Sequence, residues 1–233
     1  MRVAITGEKG FLGIHMINYL RQILKYDVVE LGKEYLGELS KVKNLDWLIH
    51  GACTHRHDIP EMVLLLNREI TNKTITCLKD NNIRCNIVFL SSIQEDNDSF
   101  YGQSKREAKE QFENYCRERN LDFISYRLPN IFGKYAKPNR TSFIATFCCN
   151  LFNNIQCKHN RNSVELIFVD EVVEKVCSFK EQEMGITSTT VESVYTLLAS
   201  YKVLFDKNIF PKLENKFEFD LYQTFLSYKN YKI

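Results

Sequence analysis

Eight residues near the N-terminus, TGEKGFLG (6–13), constrain this chain more than any other stretch. They follow directly on the apolar run RVAI and open FLGIHMINYLRQILK, where apolar residues recur at helical spacing. A strand that turns into a helix through glycines three apart has specific uses for each of them. Gly7 permits the tight turn, Gly10 lets the backbone come close to a phosphate, and Gly13 lets helix and strand pack closely. The first helical turn (Phe11, Leu12, Gly13) offers N–H groups with no intrahelical partner, which suits anionic oxygens. The pattern, with its G-x-x-G-x-x-G spacing, predicts a dinucleotide-binding loop at the start of a doubly wound sheet.

The rest of the chain has to supply that sheet, and it does so by alternation. YDVVEL, DWLIHGA, NIVFLSS and FISYRLPNIFG read as strands; MVLLLNREITNKTITCLKDNN and YGQSKREAKEQFENYCRERN read as helices between them. Such β-α-β alternation resolves physically into a parallel sheet covered by helices, a Rossmann-like α/β fold. Residues 32–45 are too short and charged for a full strand-helix unit, so one unit is abridged. From Lys134 the pattern loosens, with one helical stretch in FVDEVVEKVCSF. The expected organisation is a nucleotide-binding core over 1–133 and a small C-terminal substrate-binding lobe over 134–233, with some segments returning to the core.

Thirty-one basic against 29 acidic residues leave a net charge of +2, which gives no electrostatic reason to expect nucleic acid as a partner. The apolar residues before the first glycine are too few for a secretory leader, and no apolar run approaches the ~20 residues of a membrane span. The expected setting is the cytoplasm, without membrane attachment. The eight cysteines contain no C-x-x-C and sit in strand or helix patterns, so they read as free thiols, Cys148-Cys149 being the one unusual pair. His55 and His57 lack the neighbours of a metal site, and no metal is expected.

Three further stretches carry chemistry. VVELGKEY ends the second strand, where an acidic side chain grips an adenosine ribose or a basic one a 2′-phosphate; Lys33 favours NADP, and Glu30 keeps NAD open. HGAC ends the next strand, and His50, Gly51 and Ala52 would run beneath the cofactor. NIVFLSSIQ places Ser91 and Ser92 at a sheet carboxyl edge, just before YGQSK, in which Tyr101 and Lys105 share a helix face. A serine hydroxyl there can bind a substrate oxygen, Tyr101 can donate its phenolic proton, and Lys105 can tune that phenol. Either serine could fill the first role.

TGEKGFLG, SSI, YGQSK and RLPNIFG, in that order, resemble the extended short-chain dehydrogenase/reductases. More narrowly, RLPNIFGKYAKPN, SFIATFC, RNSVEL, VDEVV and PKLENKFEFDLYQTFLSY resemble the reductase domain of CapF (WbjC)-type capsular-polysaccharide enzymes. The resemblance implies NADPH-dependent reduction of the 4-keto group of a UDP-2-acetamido-2,6-dideoxy-hexos-4-ulose. It assigns Ser92, Tyr101 and Lys105 to catalysis, Pro129 to the cofactor, and Asn130, Lys137, Asn139 and Arg161 together with Ser92 to the substrate. CapF-type chains continue into a cupin domain that epimerises the third carbon, whereas this sequence runs to YKNYKI; the expected product is therefore the directly reduced UDP-N-acetyl-L-rhamnosamine. Ile93 and Gln94 after Ser92 speak against a dehydratase, which carries an acidic pair there. A nucleotide-sugar epimerase that retains NAD(P), or an NADP-sensing protein without catalysis, are the competing readings. Related enzymes pair two helices across a two-fold axis, so a homodimer is expected through Val63, Leu64, Leu65, Leu66, Phe112 and Tyr115.

Overall fold

A computed structural model describes residues 1–32, 35–140 and 142–231. The chain divides into two compact units, one of residues 1–128 with 173–182, the other of 129–172 with 183–233.

In the first unit the apolar runs become β1 (Arg2–Thr6), β2 (Asp27–Leu31), β3 (Trp47–His50), β4 (Asn86–Ser92) and β5 (Phe123–Leu128). They hydrogen-bond in the order β2-β1-β3-β4-β5, every neighbouring pair parallel. The connections are α1 (Phe11–Asn18), α2 (Tyr35–Leu39), α3 (Glu61–Asp80) and α4 (Phe100–Arg119). The abridged unit is thus the single short helix α2, with no strand among the described residues of 32–45. The strand order turns back between β1 and β3, and the loops beyond the carboxyl ends of those two strands flank the crevice where such sheets bind ligands.

One face of the sheet buries Ala4, Leu48, Ile87 and Phe89 against Leu78 of α3 and Phe112 and Tyr115 of α4. Ile87 and Phe89 are two apart on one strand and so share that face. Of the residues expected at a homodimer seam, Val63, Leu64, Phe112 and Tyr115 are buried within the chain itself, while Leu65 is exposed. Residues 173–182 join this unit through Phe179, whose ring lies 4.9 Å from that of Trp47, and through the Tyr126 hydroxyl, which donates to the carbonyls of Lys175 (2.9 Å) and Lys180 (2.5 Å).

The expected strand over 123–133 is divided. Pro129 has no N–H to contribute to a ladder, and beyond it Asn130–Phe132 forms β6 in a second sheet. That sheet has the order β6-β7-β8, with β7 (Ser163–Phe168) parallel to β6 and β8 (Thr187–Thr190) antiparallel to β7. Its unit also holds α5 (Phe143–Phe152), α7 (Val191–Asp206) and α8 (Lys216–Ser227), while α6 (Val169–Val176) carries the chain back towards the first unit. Phe152 of α5, Phe205 of α7 and Phe225 of α8 pack ring against ring, with centroids 4.5–5.3 Å apart about Phe152.

Candidate active site

The glycine loop closes on itself before it meets any ligand. Gly7 sits at φ +79°, in the left-handed region, and a Cβ there would lie 3.0 Å from the Gly51 carbonyl carbon. A Cβ on Gly13 would lie 2.2 Å from the Gly7 carbonyl oxygen, and one on Gly10 2.9 Å from the same atom. So Gly10 is needed first by the loop's own turn. Thr6 ties the two strand ends together: its Oγ1 accepts from the N–H groups of Gly51 and Ala52, both at 3.1 Å. The cradle therefore fits a dinucleotide phosphate, with close-packed backbone and the first N–H groups of α1 at a sheet edge.

His50 Nδ1 stands 3.2 Å from Thr6 Oγ1, and the His50 ring is buried between Phe89 and Phe112. Burial, and then the Lys105 ammonium, hold its pKa down to about 3. Its side chain is thus a neutral part of the core. Glu30 lies in β2, where its carboxylate is paired with Arg21 at 2.5 Å. Lys33 lies outside the described residues.

The two serines separate cleanly. Ser91 is buried and donates its hydroxyl to Glu95, itself buried and held by Arg127 (2.8 Å) and Lys109 (3.5 Å). Ser92 caps the one-turn 3₁₀ helix Ile93–Asp96, its Oγ accepting from Gln94 N–H at 3.2 Å. Ser91 is committed to an internal ion-pair network, and Ser92 keeps a hydroxyl hydrogen for another acceptor.

Tyr101 occupies the first turn of α4, which begins there because Ser99 caps it, accepting from Gly102 N–H at 3.0 Å. Lys105, one turn on, is 4% exposed; its Nζ donates to the Leu90 carbonyl at 2.8 Å and lies 5.6 Å from the centre of the Tyr101 ring and 5.1 Å from that of Phe89. Between them, Gly102 has its own requirement: a Cβ would lie 2.1 Å from the Gln94 carbonyl oxygen and 2.6 Å from Asn97 Oδ1. Gly102→Ala should therefore push α4 away from the turn after Ser92, lowering stability by about 1–3 kcal/mol as overpacking does. Chemical denaturation checks this, and an unchanged midpoint would refute it.

Two residues to which sequence analysis assigns no role lie beside Tyr101. Cys53, which reads as one more buried structural thiol, is partly exposed, whereas the other seven cysteines are buried. Its Sγ faces the His55 ring, 3.5 Å from Nε2 and 3.7 Å from Nδ1. The His55 ring stacks on that of Tyr101 at 5.5 Å and 26°. Burial raises the Cys53 pKa, but Lys105, His55 and Tyr101 outweigh it and bring it down to about 6; His55 is raised by the same hydrogen bond. Tyr101 is pushed up, by burial first and by Cys53 second, so its phenol stays protonated. Buried Asn67 of α3 fixes this stretch, accepting from Thr54 N–H at 2.7 Å and donating to Thr54 carbonyl (3.0 Å) and Ser104 Oγ (2.9 Å). Their position directly after β3, at a sheet carboxyl edge, was the available signal.

Apart from Ser92, which lies in the first unit, the residues assigned to the substrate by resemblance belong to the second unit, as does buried Pro129. Asn130 opens β6, its amide donating to the Glu165 carbonyl at 3.4 Å. Lys137 is exposed, Asn139 adopts φ +59°, and Arg161 is paired with Glu192 at 3.0 Å. Among the described residues no group of three or more His, Cys, Asp or Glu is arranged to hold a metal, and no helix is long and apolar enough to cross a membrane.

The model of the NAD dependent epimerase/dehydratase family matches residues 50–186. The UDP-2-acetamido-2,6-beta-L-arabino-hexul-4-ose reductase of Pseudomonas aeruginosa is 33% identical over 177 residues, 74% of this chain. The chain spans about half of that relative's length, 48%. Among solved structures, the capsular polysaccharide assembling protein CapF of Staphylococcus aureus is 29% identical with a TM-score of 0.85, covering 100% of this chain and 68% of its own. The UDP-glucose 4-epimerase of Thermotoga maritima shares the fold, with a TM-score of 0.81 at 17% identity over 98% of this chain and 99% of its own.

Proposed function

Because the chain belongs to the NAD dependent epimerase/dehydratase family, we propose that it reduces the 4-keto group of a UDP-2-acetamido-2,6-dideoxy-hexos-4-ulose in nucleotide-sugar biosynthesis, with NADPH as the reductant. The observation that carries this is the phenol of Tyr101 above the buried ammonium of Lys105, on the same sheet edge as the glycine cradle. The likeness to a P. aeruginosa UDP-hexulose reductase and to CapF supports the substrate class.

In this reading the Gly7–Gly13 loop and the first turn of α1 hold the pyrophosphate, while Asn130, Lys137, Asn139 and Arg161 are the residues that resemblance proposes for the sugar nucleotide. When bound, the dinucleotide supplies a hydride for the keto carbon. Ser92 donates a hydrogen bond to the keto oxygen, and Tyr101, held protonated by its surroundings, gives that oxygen its proton. Lys105 steadies the resulting phenolate by its charge. Nothing in these steps touches the third carbon, so the product is UDP-N-acetyl-L-rhamnosamine.

NADH has one observation in its favour: Glu8, a buried residue of the glycine loop, has its Oε1 3.8 Å from where a Gly32 Cβ would stand, at the end of β2. A carboxylate at that corner repels a 2′-phosphate and accepts from a ribose diol. Against it, Glu30 is already paired with Arg21.

A panel of UDP-4-keto sugars, assayed by nicotinamide absorbance with NADPH and then NADH, tests the reading. Stoichiometric loss of NADPH with the 2-acetamido-2,6-dideoxy sugar is the expected result. Conversion without net absorbance change would identify an epimerase instead. For the product, NMR after reaction in deuterated water should show no deuterium at the third carbon.

A further inference from the structure

Beside the phenol, the loop after β3 carries a pair of side chains that the proposed reduction does not use. Cys53 Sγ lies 3.5 Å from Nε2 and 3.7 Å from Nδ1 of His55, two residues on. A sulfur within reach of an imidazole, with that imidazole set by a third group, is the arrangement that activates a cysteine. Here the third group is the Tyr101 ring, on which the His55 ring stacks at 5.5 Å and 26°. The backbone between the pair is fixed as well: the side-chain carbonyl of buried Asn67 accepts from Thr54 N–H at 2.7 Å, and its NH₂ donates to the Thr54 carbonyl at 3.0 Å. Access separates Cys53 from the other thiols. It is partly exposed beside an exposed His55, whereas the seven remaining cysteines are buried. Burial pushes Cys85, Cys116 and Cys177 up to about 12, while the Lys105 ammonium and His55 draw Cys53 down against its own burial.

We infer that Cys53 is a modification site: a small peroxide oxidises it to the sulfenic acid, and the oxidised side chain impairs the site at Tyr101. The thiolate sulfur attacks one peroxide oxygen, so that an S–O bond forms and the O–O bond breaks. Sulfur gives up two electrons, and the departing hydroxide takes the His55 imidazolium proton and leaves as water. A hydroxyl added to a sulfur that already touches the imidazole displaces that ring, and the displaced ring is the one that lies on Tyr101. Turnover falls in consequence, a step that rests on the reading of Tyr101 as proton donor. A dithiol reverses the change: its first thiol bonds to the Cys53 sulfur and expels water, and its second closes the dithiol's own disulfide and frees Cys53 as a thiol.

One test needs no turnover. Brief treatment with hydrogen peroxide, trapping with dimedone and peptide mapping should place the label on Cys53 and on none of the seven buried cysteines. In His55→Gln, labelling of Cys53 should slow about tenfold, because the thiolate loses its partner. No label at Cys53, a label spread over the buried thiols, or an equal rate in His55→Gln would overturn the site. The other test follows NADPH consumption with the keto sugar. Wild-type turnover should fall in step with the oxidation of Cys53 and return on adding dithiothreitol. Cys53→Ser, whatever its own starting rate, should lose none of it to the same treatment, and Cys53→Ala takes its place if the serine variant does not fold. Full turnover in oxidised protein would show that the modification leaves the site open. A protein that reduces no keto sugar even before treatment would defeat the functional reading instead, and the labelling rates would still decide Cys53.

Discussion

Tyr101→Phe is expected to retain its fold and its dinucleotide affinity and to lose about 10²–10⁴-fold in kcat, the usual contribution of a positioned general acid. The ring is what the structure uses for packing: it stacks on His55 and covers the Lys105 ammonium. Phenylalanine keeps both contacts. What disappears is the hydroxyl, and with it the proton to be given to the substrate oxygen. The loss should therefore fall on kcat with KM nearly unchanged, the signature of an interaction made only in the transition state. Near wild-type consumption of NADPH by this variant would show that the proton comes from elsewhere.

How much of this was legible beforehand depended on whether a residue's role was local. The glycine loop reads directly because turn, close approach and helix start are all made by residues within one octet. Strands β1 to β5 read directly because parallel strands are buried on both faces and appear as apolar runs. Strands β7 and β8 did not: in SVELIF only four residues alternate, directly after the polar run KHNRN, and TSTT has no apolar residue to mark a face. The strand drawn through Pro129 joined two sheets because each half is apolar, and only the missing N–H of the proline separates them. Within the site, the choice between Ser91 and Ser92 turned on Glu95, four residues on and reading as part of a polar turn, which the fold buries beneath Arg127 and Lys109. Cys53 and His55 acquire meaning only when the end of β3 is brought against the first turn of α4, and Asn67, thirteen residues away from Thr54, is what holds them there.

Lys105→Met should affect turnover and acid stability together, and in opposite senses. Methionine fills the channel between Phe89 and Tyr101 but removes the charge, so kcat should fall about 10²-fold or more for want of phenolate stabilisation. At neutral pH the Leu90 carbonyl loses its donor, at a cost of about 1–3 kcal/mol. In acid the balance changes because of His50. Unfolded, His50 takes a proton below about 6.5; folded, it resists protonation down to about 3, through burial first and Lys105 second. The unfolded chain therefore binds more protons throughout that window, and the folded state loses stability as pH falls through it, on the order of 5 kcal/mol over its whole width. Above the window this loss is absent. Removing the ammonium leaves the burial cause intact and lifts the folded pKa part of the way back, so the window closes from its acid end. Relative to its own stability at neutral pH, Lys105→Met should lose less on acidification than the wild type does. Urea unfolding at a series of pH values measures the slope directly. Equal slopes between about pH 6.5 and 3 would show that Lys105 exerts no pull on His50, and the buried ammonium would then have to be sought elsewhere than beneath Tyr101.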